Sequence, residues 1–301
     1  MTREQLFDLV LPGAALGTVT EAAAAATGLP VGLPVYATAN DKAVEALGSG
    51  LRDEGTVLLS LGTYIAAMTT GSHVPVAHDD VWVNFASEPH TYLYESGGIR
   101  RGMWTVSWWR DLLDDGRGLS DDELGAGAAT VAPGSDGLLA VLDWLAPGHA
   151  AYRRGALIGF DGRQGRFHIY RAILEGIALT MRRHIDAMEL ALGRRFENVI
   201  VSGGGSRSDL MMGILSAVLE RPVRRNRLTD AAGMGSAICA LVGAGVYPDW
   251  DAAVAATVHP AETFGVDLDA AHAYRPVRAA HALLPTHLDP LFQELDTIAR
   301  R

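Results

Sequence analysis

The stretch Asn198-Val199-Ile200-Val201-Ser202-Gly203-Gly204-Gly205-Ser206-Arg207-Ser208-Asp209-Leu210 runs from an apolar strand pattern through three glycines into a helix pattern. Consecutive glycines allow a tight turn and leave no side chains in the way of a flat or phosphorylated ligand. The helix that follows presents unpaired N–H groups and a partial positive charge at its start. Ser206 and Asp209 stand at capping-box spacing, which predicts a helix start near Ser206. The arrangement suits a nucleotide.

Outward from that stretch, the sequence predicts strands at Thr56 to Leu61 and Tyr64 to Thr70, joined as a hairpin with a tight turn at Gly62-Thr63. Trp82 to Ser87 and Thr91 to Glu95 read as further strands, and Trp104 to Leu113 as a helix. Residues 115–137, rich in Gly, Asp and Ser, read as a loop with one short helix. Arg166 to Leu192 is the clearest helix, with Ile173, Ile177, Met181 and Ile185 at four-residue spacing and Gly193 as its stop. Ahead of these lie a short helix, a loop at Leu11-Pro12-Gly13, a helix from Thr20 to Thr27, a strand at Val35 to Thr38, and a helix opened by Asp41. After the glycines come a strand at Val223, a small-residue helix at Ala231 to Val242, and a helical tail over 269–300 broken at Pro285 and Pro290. Strands that precede and then alternate with helices predict an α/β domain with a mixed sheet.

Composition narrows the function. The chain has 301 residues, is 49% hydrophobic and carries a net charge of −10, which excludes broad nucleic-acid binding through a basic face. The arginine doublets are dispersed and read as solvated surface. The one cysteine, Cys239, sits in an apolar run as a small buried hydrophobe and forbids an intrachain disulfide, as in a reducing cytoplasm. No Cys/His pattern for zinc, signal-peptide core or bilayer-length apolar run is present. The only lysine, Lys42, directly follows Asp41, so there is no Walker A loop. A Rossmann fingerprint would need glycine at Ser208. Arg224-Arg225 at the next strand would suit NADP, which keeps an NADP-binding protein as an alternative; a hairpin at residues 56–70 would exclude it.

Four elements taken together resemble the C-terminal part of the FGGY family of carbohydrate kinases, in the actin-like ATPase superfamily: Asn40-Asp41 before a small-residue helix, Ser60-Leu61-Gly62-Thr63, Gly203-Gly204-Gly205-Ser206, and Ala232-Gly233-Met234-Gly235-Ser236-Ala237. The resemblance, xylulokinase-like, covers almost the whole chain. It implies a ribonuclease-H-like α/β fold, a mixed sheet flanked by helices, and ATP-dependent transfer of a phosphoryl group to a ketose or polyol hydroxyl. It implies residues 1–50 as the end of an N-terminal sugar-binding domain with a hinge helix, 51–260 as the nucleotide-binding domain and 261–301 as a tail. Asp41 would be the catalytic base, in a position at a helix start that suits negative charge; a plain helix cap is the bland reading. Asn40 and Lys42 would meet substrate, with a surface lysine pointing away as the counter-reading. Gly62 and Thr63 would meet the phosphates, and Gly203, Gly204, Gly205 and Ser206 would lie under adenine and ribose. Gly233 and Gly235 would belong to a hinge helix, or simply allow close packing.

The departures are Lys42 where the family usually has glutamine or asparagine, and Tyr64-Ile65 in place of small residues after the phosphate turn. No Gly-Glu-Arg element is recognisable before the long helix. The family's N-terminal Asp-x-Gly-Thr hairpin, expected to handle Mg²⁺, is also absent, so a partner chain carrying it, or a second copy, is expected against an apolar surface around residues 31–50. A non-catalytic nucleotide-binding regulatory module is the remaining alternative.

Overall fold

The structure is a computed structural model that describes residues 2–5, 7–74, 80–114 and 118–299. Residues 115–117 of the loop read from the sequence, and residue 300 of the tail, lie outside them. In chain order the elements are β1 (Ala15–Thr18), α1 (Glu21–Thr27), β2 (Pro34–Tyr36), α2 (Asp41–Gly48), β3 (Thr56–Leu61), β4 (Ile65–Gly71), β5 (Val81–Phe85), β6 (Tyr92–Ser96), α3 (Gly102–Leu113), α4 (Asp121–Ala129), β7 (Leu139–Val141) and β8 (Ala156–Ile158). They continue with α5 (Arg166–Leu192), β9 (Asn198–Ser202), α6 (Asp209–Leu219), β10 (Val223–Asn226), α7 (Ala231–Gly243), α8 (Trp250–Thr257), β11 (Pro260–Phe264), α9 (Leu268–Ala282) and α10 (Leu284–Ala299).

Seven strands form one sheet in the order β11-β10-β9-β3-β4-β6-β5. β3 pairs antiparallel with β4 and parallel with β9, and β9 is parallel to β10. This is the mixed sheet of the expected ribonuclease-H-like α/β class. The antiparallel β3–β4 hairpin overturns the NADP reading, whose fold needs parallel βαβ pairing there.

β3 is buried along its length because both faces of the sheet are covered. Val57, Leu59 and Leu61 face a large core built on Ile173, Ile177, Met181 and Ile185 of α5. Leu58, with Met68, Leu93 and Ile200, faces Ala43 and Ala46 of α2 on the other side. Val44 and Leu47 of α2 then pack with Ile238 and Cys239 of α7 and Ala253 of α8. Cys239 is buried as expected, and burial pushes its thiol up to about 11.

Several expectations need correction. The short N-terminal helix is only a turn of 3-10 helix at Arg3–Gln5, and β1, unforeseen, pairs antiparallel with β2. The tail breaks at Leu283: Pro285 sits in the first turn of α10, where a missing N–H costs nothing, and Pro290 lies inside α10. β11 is polar and exposed, so it carries no strand pattern. Exposed apolar side chains from Phe7 through Leu9 and Leu16 to Val31, Leu33 and Val35 reach into the first part of the expected stretch, while the apolar face of α2 in its second part is buried. The arginine doublets are not simply solvated. Arg182 donates to the carbonyls of Val218 and Leu219, and Arg194 to that of Thr70. No helix among the described residues is long and apolar enough to cross a membrane.

Candidate nucleotide and phosphoryl-transfer site

Ser60 of β3 and Ser202 of β9 are register partners, Ser60 two residues and Ser202 one residue ahead of a glycine turn. Parallel pairing brings those turns to the same end of the sheet. Gly203 has φ +79°, and a Cβ there would stand 2.7 Å from the Leu61 carbonyl and 3.2 Å from the Gly62 nitrogen. A Cβ at Gly205 would stand 2.9 Å from both the Leu61 side chain and Met103 Sδ. Two of the three glycines are thus required by contact between the turns themselves. Gly204 alone has room, its nearest neighbour being Arg207 at 3.9 Å.

The helix start expected at Ser206 falls two residues later. Gly204–Arg207 forms a 3-10 turn, Ser206 Oγ donates to the Gly203 carbonyl at 2.7 Å, and Ser208 caps α6 by accepting from the Met211 N–H at 3.2 Å. The extra turn turns the carbonyls of Ser206 and Arg207 toward Arg225, which donates to both at 3.1 and 3.2 Å and pairs with Asp209 and Glu262. Arg225 therefore clamps the glycine loop.

The Gly62-Thr63-Tyr64 turn is held from the other side by the start of α3. Gly102 N–H donates to the Thr63 carbonyl at 2.7 Å and Met103 N–H to the Gly62 carbonyl at 3.2 Å. The Thr63 side chain is exposed, and its hydroxyl has no hydrogen bond among the described residues. Tyr64 does not crowd the turn: its ring packs on Gly98.

Asn40 is the cap of α2, its Oδ1 accepting from the Ala43 N–H at 2.9 Å. Asp41 is therefore not the cap. It occupies the first helical position with an exposed side chain, Oδ1 accepting from the Lys42 N–H at 2.8 Å. Lys42 does not point away: Nζ donates to Glu45 Oε2 and Ser60 Oγ, both at 3.0 Å, and lies 5.8 Å from the Tyr64 ring centre. Ser202 Oγ donates to the other Glu45 oxygen at 2.6 Å. α2 is thereby tied to both strands that carry the glycine turns. Glu95 of β6 is a neighbour of this group; burial raises its carboxyl above the usual range, opposed by Lys42 and reinforced by Asp41 and Glu45.

Glu45, Ser60, Ser202 and Glu95 were not singled out from the sequence. The signals for the first three were present: Glu45 is three residues beyond Lys42, and each serine nearly ends a strand before a glycine. Glu95 had none, since its place depends on the pairing of β6 with β4.

α2 and α7 cross at two glycines. A Cβ at Gly235 would fall on the Val44 carbonyl, and one at Gly48 on the Ala231 carbonyl. Gly233 does something different: it faces the Asp230 carboxylate, which accepts from its N–H at 3.0 Å to cap α7. No group of three or more His, Cys, Asp or Glu side chains among the described residues could hold a metal ion.

A family model described as the C-terminal domain of the FGGY family of carbohydrate kinases matches residues 57–244. The chain is 46% identical over 260 residues to an Escherichia coli K12 protein described as an uncharacterized sugar kinase, YgcE, covering 84% of this chain and 53% of that one. It is 28% identical to xylulose kinase of Lactococcus lactis over 75% of this chain and 45% of that one. Xylulose kinase from Rhodospirillum rubrum superimposes with a TM-score of 0.81 at 31% identity, over 94% of this chain and 57% of that chain. Ligand-bound xylulose kinase from Lactobacillus acidophilus shares the fold, with a TM-score of 0.84 at 17% identity over 98% of this chain and 60% of that chain. The chain spans about half the length of the curated relatives it matches. The paired glycine turns on β3 and β9 lie within the matched residues, and the chain belongs to the FGGY family of carbohydrate kinases.

Proposed function

We propose that this chain contributes the ATP-holding wall and the general base of a kinase acting on a ketose or polyol. The observation that carries the reading is the exposed Asp41 carboxylate at the head of a helix tied to both glycine turns through Lys42–Ser60 and Glu45–Ser202. In the reaction, the sugar hydroxyl oxygen attacks the γ-phosphorus of ATP and the bond to the β,γ-bridging oxygen breaks. The hydroxyl proton passes to Asp41, and ADP leaves. The Gly62 backbone and the free Thr63 hydroxyl meet the phosphates. The open face at Gly204, with Gly203, Gly205 and Ser206 shaping the loop, takes the adenosine. Asn40, spending its Oδ1 on the cap, has its amide nitrogen left for substrate; Lys42 acts from Ser60 and Glu45 rather than from solvent.

On the same reading, residues 1–50 close a sugar-binding domain, 51–260 form the nucleotide domain, and the α2–α7 crossing at Gly235 serves as the hinge of a closing cleft. Mg²⁺ is the expected companion of ATP. The described residues gather no group of three or more His, Cys, Asp or Glu side chains for it. A cytoplasmic location suits an ATP-dependent enzyme. The exposed apolar stretch from Phe7 to Val35 is the surface offered to a partner chain or a second copy.

The test is ATP consumption across a panel of ketoses and polyols, by the chain alone and mixed with a chain carrying an Asp-x-Gly-Thr hairpin. Asp41→Asn should lower turnover by about 10²–10⁴-fold while ATP binding persists. ATP binding with no turnover in any mixture, indifferent to Asp41→Asn, would make the chain a regulatory module.

A further inference from the structure

A second concave site lies away from the glycine turns, with a cavity volume of about 660 Å³. It opens between the start of β5, the middle of α5, the loop after β7 and the junction of α9 with α10. Neither Gly62, Thr63 nor the Gly203–Ser206 segment lines it; Tyr64 is the one residue it shares with the surroundings of Lys42. That volume accommodates a ligand of metabolite size.

Its charges are incompletely matched. Arg153 is neutralised by Asp289, to which it donates at 2.8 and 2.7 Å, with Tyr152 OH a further 3.0 Å donor to the same carboxylate. Arg183, on α5, makes no hydrogen bond or ion pair among the described residues. Asp143, Asp289 and Asp80 act on it only at a distance. Burial and the like charge of Arg153 outweigh them and hold its guanidinium below the usual value. Its surface is nonetheless open to water within the cavity, which is where a ligand would reach it.

Beside Arg183 stand further polar groups without partners. His281, at the end of α9, is only 7% exposed and has no hydrogen bond among the described residues. Asp143 likewise has none, and burial raises its carboxyl. His281 is the buried member of this group, Asp143 is half-buried and Arg183 is open to the cavity; buried polar groups are ordinarily hydrogen-bonded, and one left without a bond beside an unpaired guanidinium marks a place where something binds. Trp82, on the edge strand β5 and 69% exposed, supplies a flat apolar wall at the rim.

We infer that this cavity is a binding site for a small polyhydroxylated oxyanion, a sugar phosphate or sugar acid, whose anionic group pairs with Arg183. The hydroxyls find an acceptor in Asp143 and a partner in the His281 imidazole, and the C–H face of the sugar lies on Trp82. An anion is favoured over a neutral sugar because Arg183, unlike Arg153, has no carboxylate in contact with it among the described residues and its fork of donors is unspent. A planar fork of donors matches phosphate and carboxylate geometry. The site is separate from the adenosine loop, so this inference stands whether or not the chain phosphorylates anything.

Isothermal titration of the full 301-residue chain with glucose 6-phosphate, gluconate, inorganic phosphate and glucose tests it. Glucose 6-phosphate, gluconate or both should bind at least about tenfold more tightly than glucose. Whichever is tighter identifies the anion, and inorganic phosphate should compete with it. Arg183→Gln should weaken that binding by about tenfold or more, Arg183→Lys should restore part, and a non-hydrolysable ATP analogue should bind all three proteins alike. Equal binding of glucose, an unaltered Arg183→Gln, displacement of the probe by the ATP analogue, or no binding of any anion would each overturn the proposal. If Arg183→Gln fails to fold, the ring signals of His281 and His184 in the unmutated chain decide it. They should shift with glucose 6-phosphate or gluconate and not with glucose, and unmoved signals would sink the idea.

Discussion

The two faces of the sheet are held by opposite means. On one, α5 lays Ile173, Ile177, Met181 and Ile185 against β3 and β9, and large apolar side chains fill the space. Around Glu175 its polar groups are closed as well: Glu175 accepts from the Gly134 N–H, Ser135, Arg171 and Tyr274 at 2.7 to 3.0 Å. On the other, α2 and α7 meet backbone to backbone at Gly48 and Gly235, with no side chain between them at the crossing. The first face loses stability in proportion to what is removed. The second is intolerant of what is added. Asp41 rides on the second, so the position of the proposed base depends on two absent methyl groups more than on buried area.

Four perturbations would break or sharpen that contrast. Glu175→Ala should have the largest effect, about 3–5 kcal/mol in urea unfolding, because Arg171 is left as an uncompensated buried charge. A loss below about 1 kcal/mol would mean that the α5 side is not closed in this way.

Acid should come next, and on the same side. Burial, with Arg183 adding to it, lowers the pKa of both His184 and His281 from 6.5 to about 4. Both are neutral when folded, while the unfolded chain takes up protons below about pH 6.5. Stability is therefore lost as pH falls from about 6.5 toward 4, by on the order of 2–3 kcal/mol for each imidazole. His281→Gln should make the unfolding free energy less steep across that window; an unchanged slope would remove His281 from the account.

Gly235→Ala should cost about 1–3 kcal/mol, because its Cβ meets the Val44 carbonyl and the helices must separate. The sharper readout is local: amide exchange should quicken in α2 and α7 while α5 keeps its protection. Equal loss of protection in α5 would mean that the two faces unfold together. The smallest effect expected is Ser208→Ala, about 1 kcal/mol, from loss of the α6 cap. An equal loss from Ser206→Ala would restore the cap to the position its spacing first indicated.

The same contrast explains what was legible in the sequence. α5 was read to the residue because a long amphipathic helix repeats its signal every turn and ends at Gly193 in the left-handed conformation. β3 and β4 were read because strands buried on both faces carry short, nearly continuous apolar runs. The glycine sites were recognised, but their purposes were not separable: Gly203 and Gly205 answer to Leu61, Gly235 to Val44, Gly233 to Asp230, and only Gly204 faces open space. A glycine records that room was needed and is silent on what occupies it. Glu95 and the charges around Arg183 were illegible for a related reason. Their neighbours come from strands and helices far apart in the chain, and no local spacing encodes that meeting. The cap at Ser208 was missed because a 3-10 turn, closed by Ser206 on Gly203, inserts two residues that the capping pattern does not anticipate.

The bonds from Lys42 to Ser60 and from Glu45 to Ser202 carry a mechanical consequence. They fasten the helix bearing Asp41 to the ends of two adjacent strands, each within two residues of its glycine turn. A displacement of α2 along its axis would have to drag both turns with it or break two half-buried polar contacts. Asp41, the proposed base, and the two glycine turns are therefore coupled as one unit. On the proposed function, an approach to a sugar would then be a change in the angle of this whole unit, with the distance from Asp41 to the phosphates at the glycine turns kept.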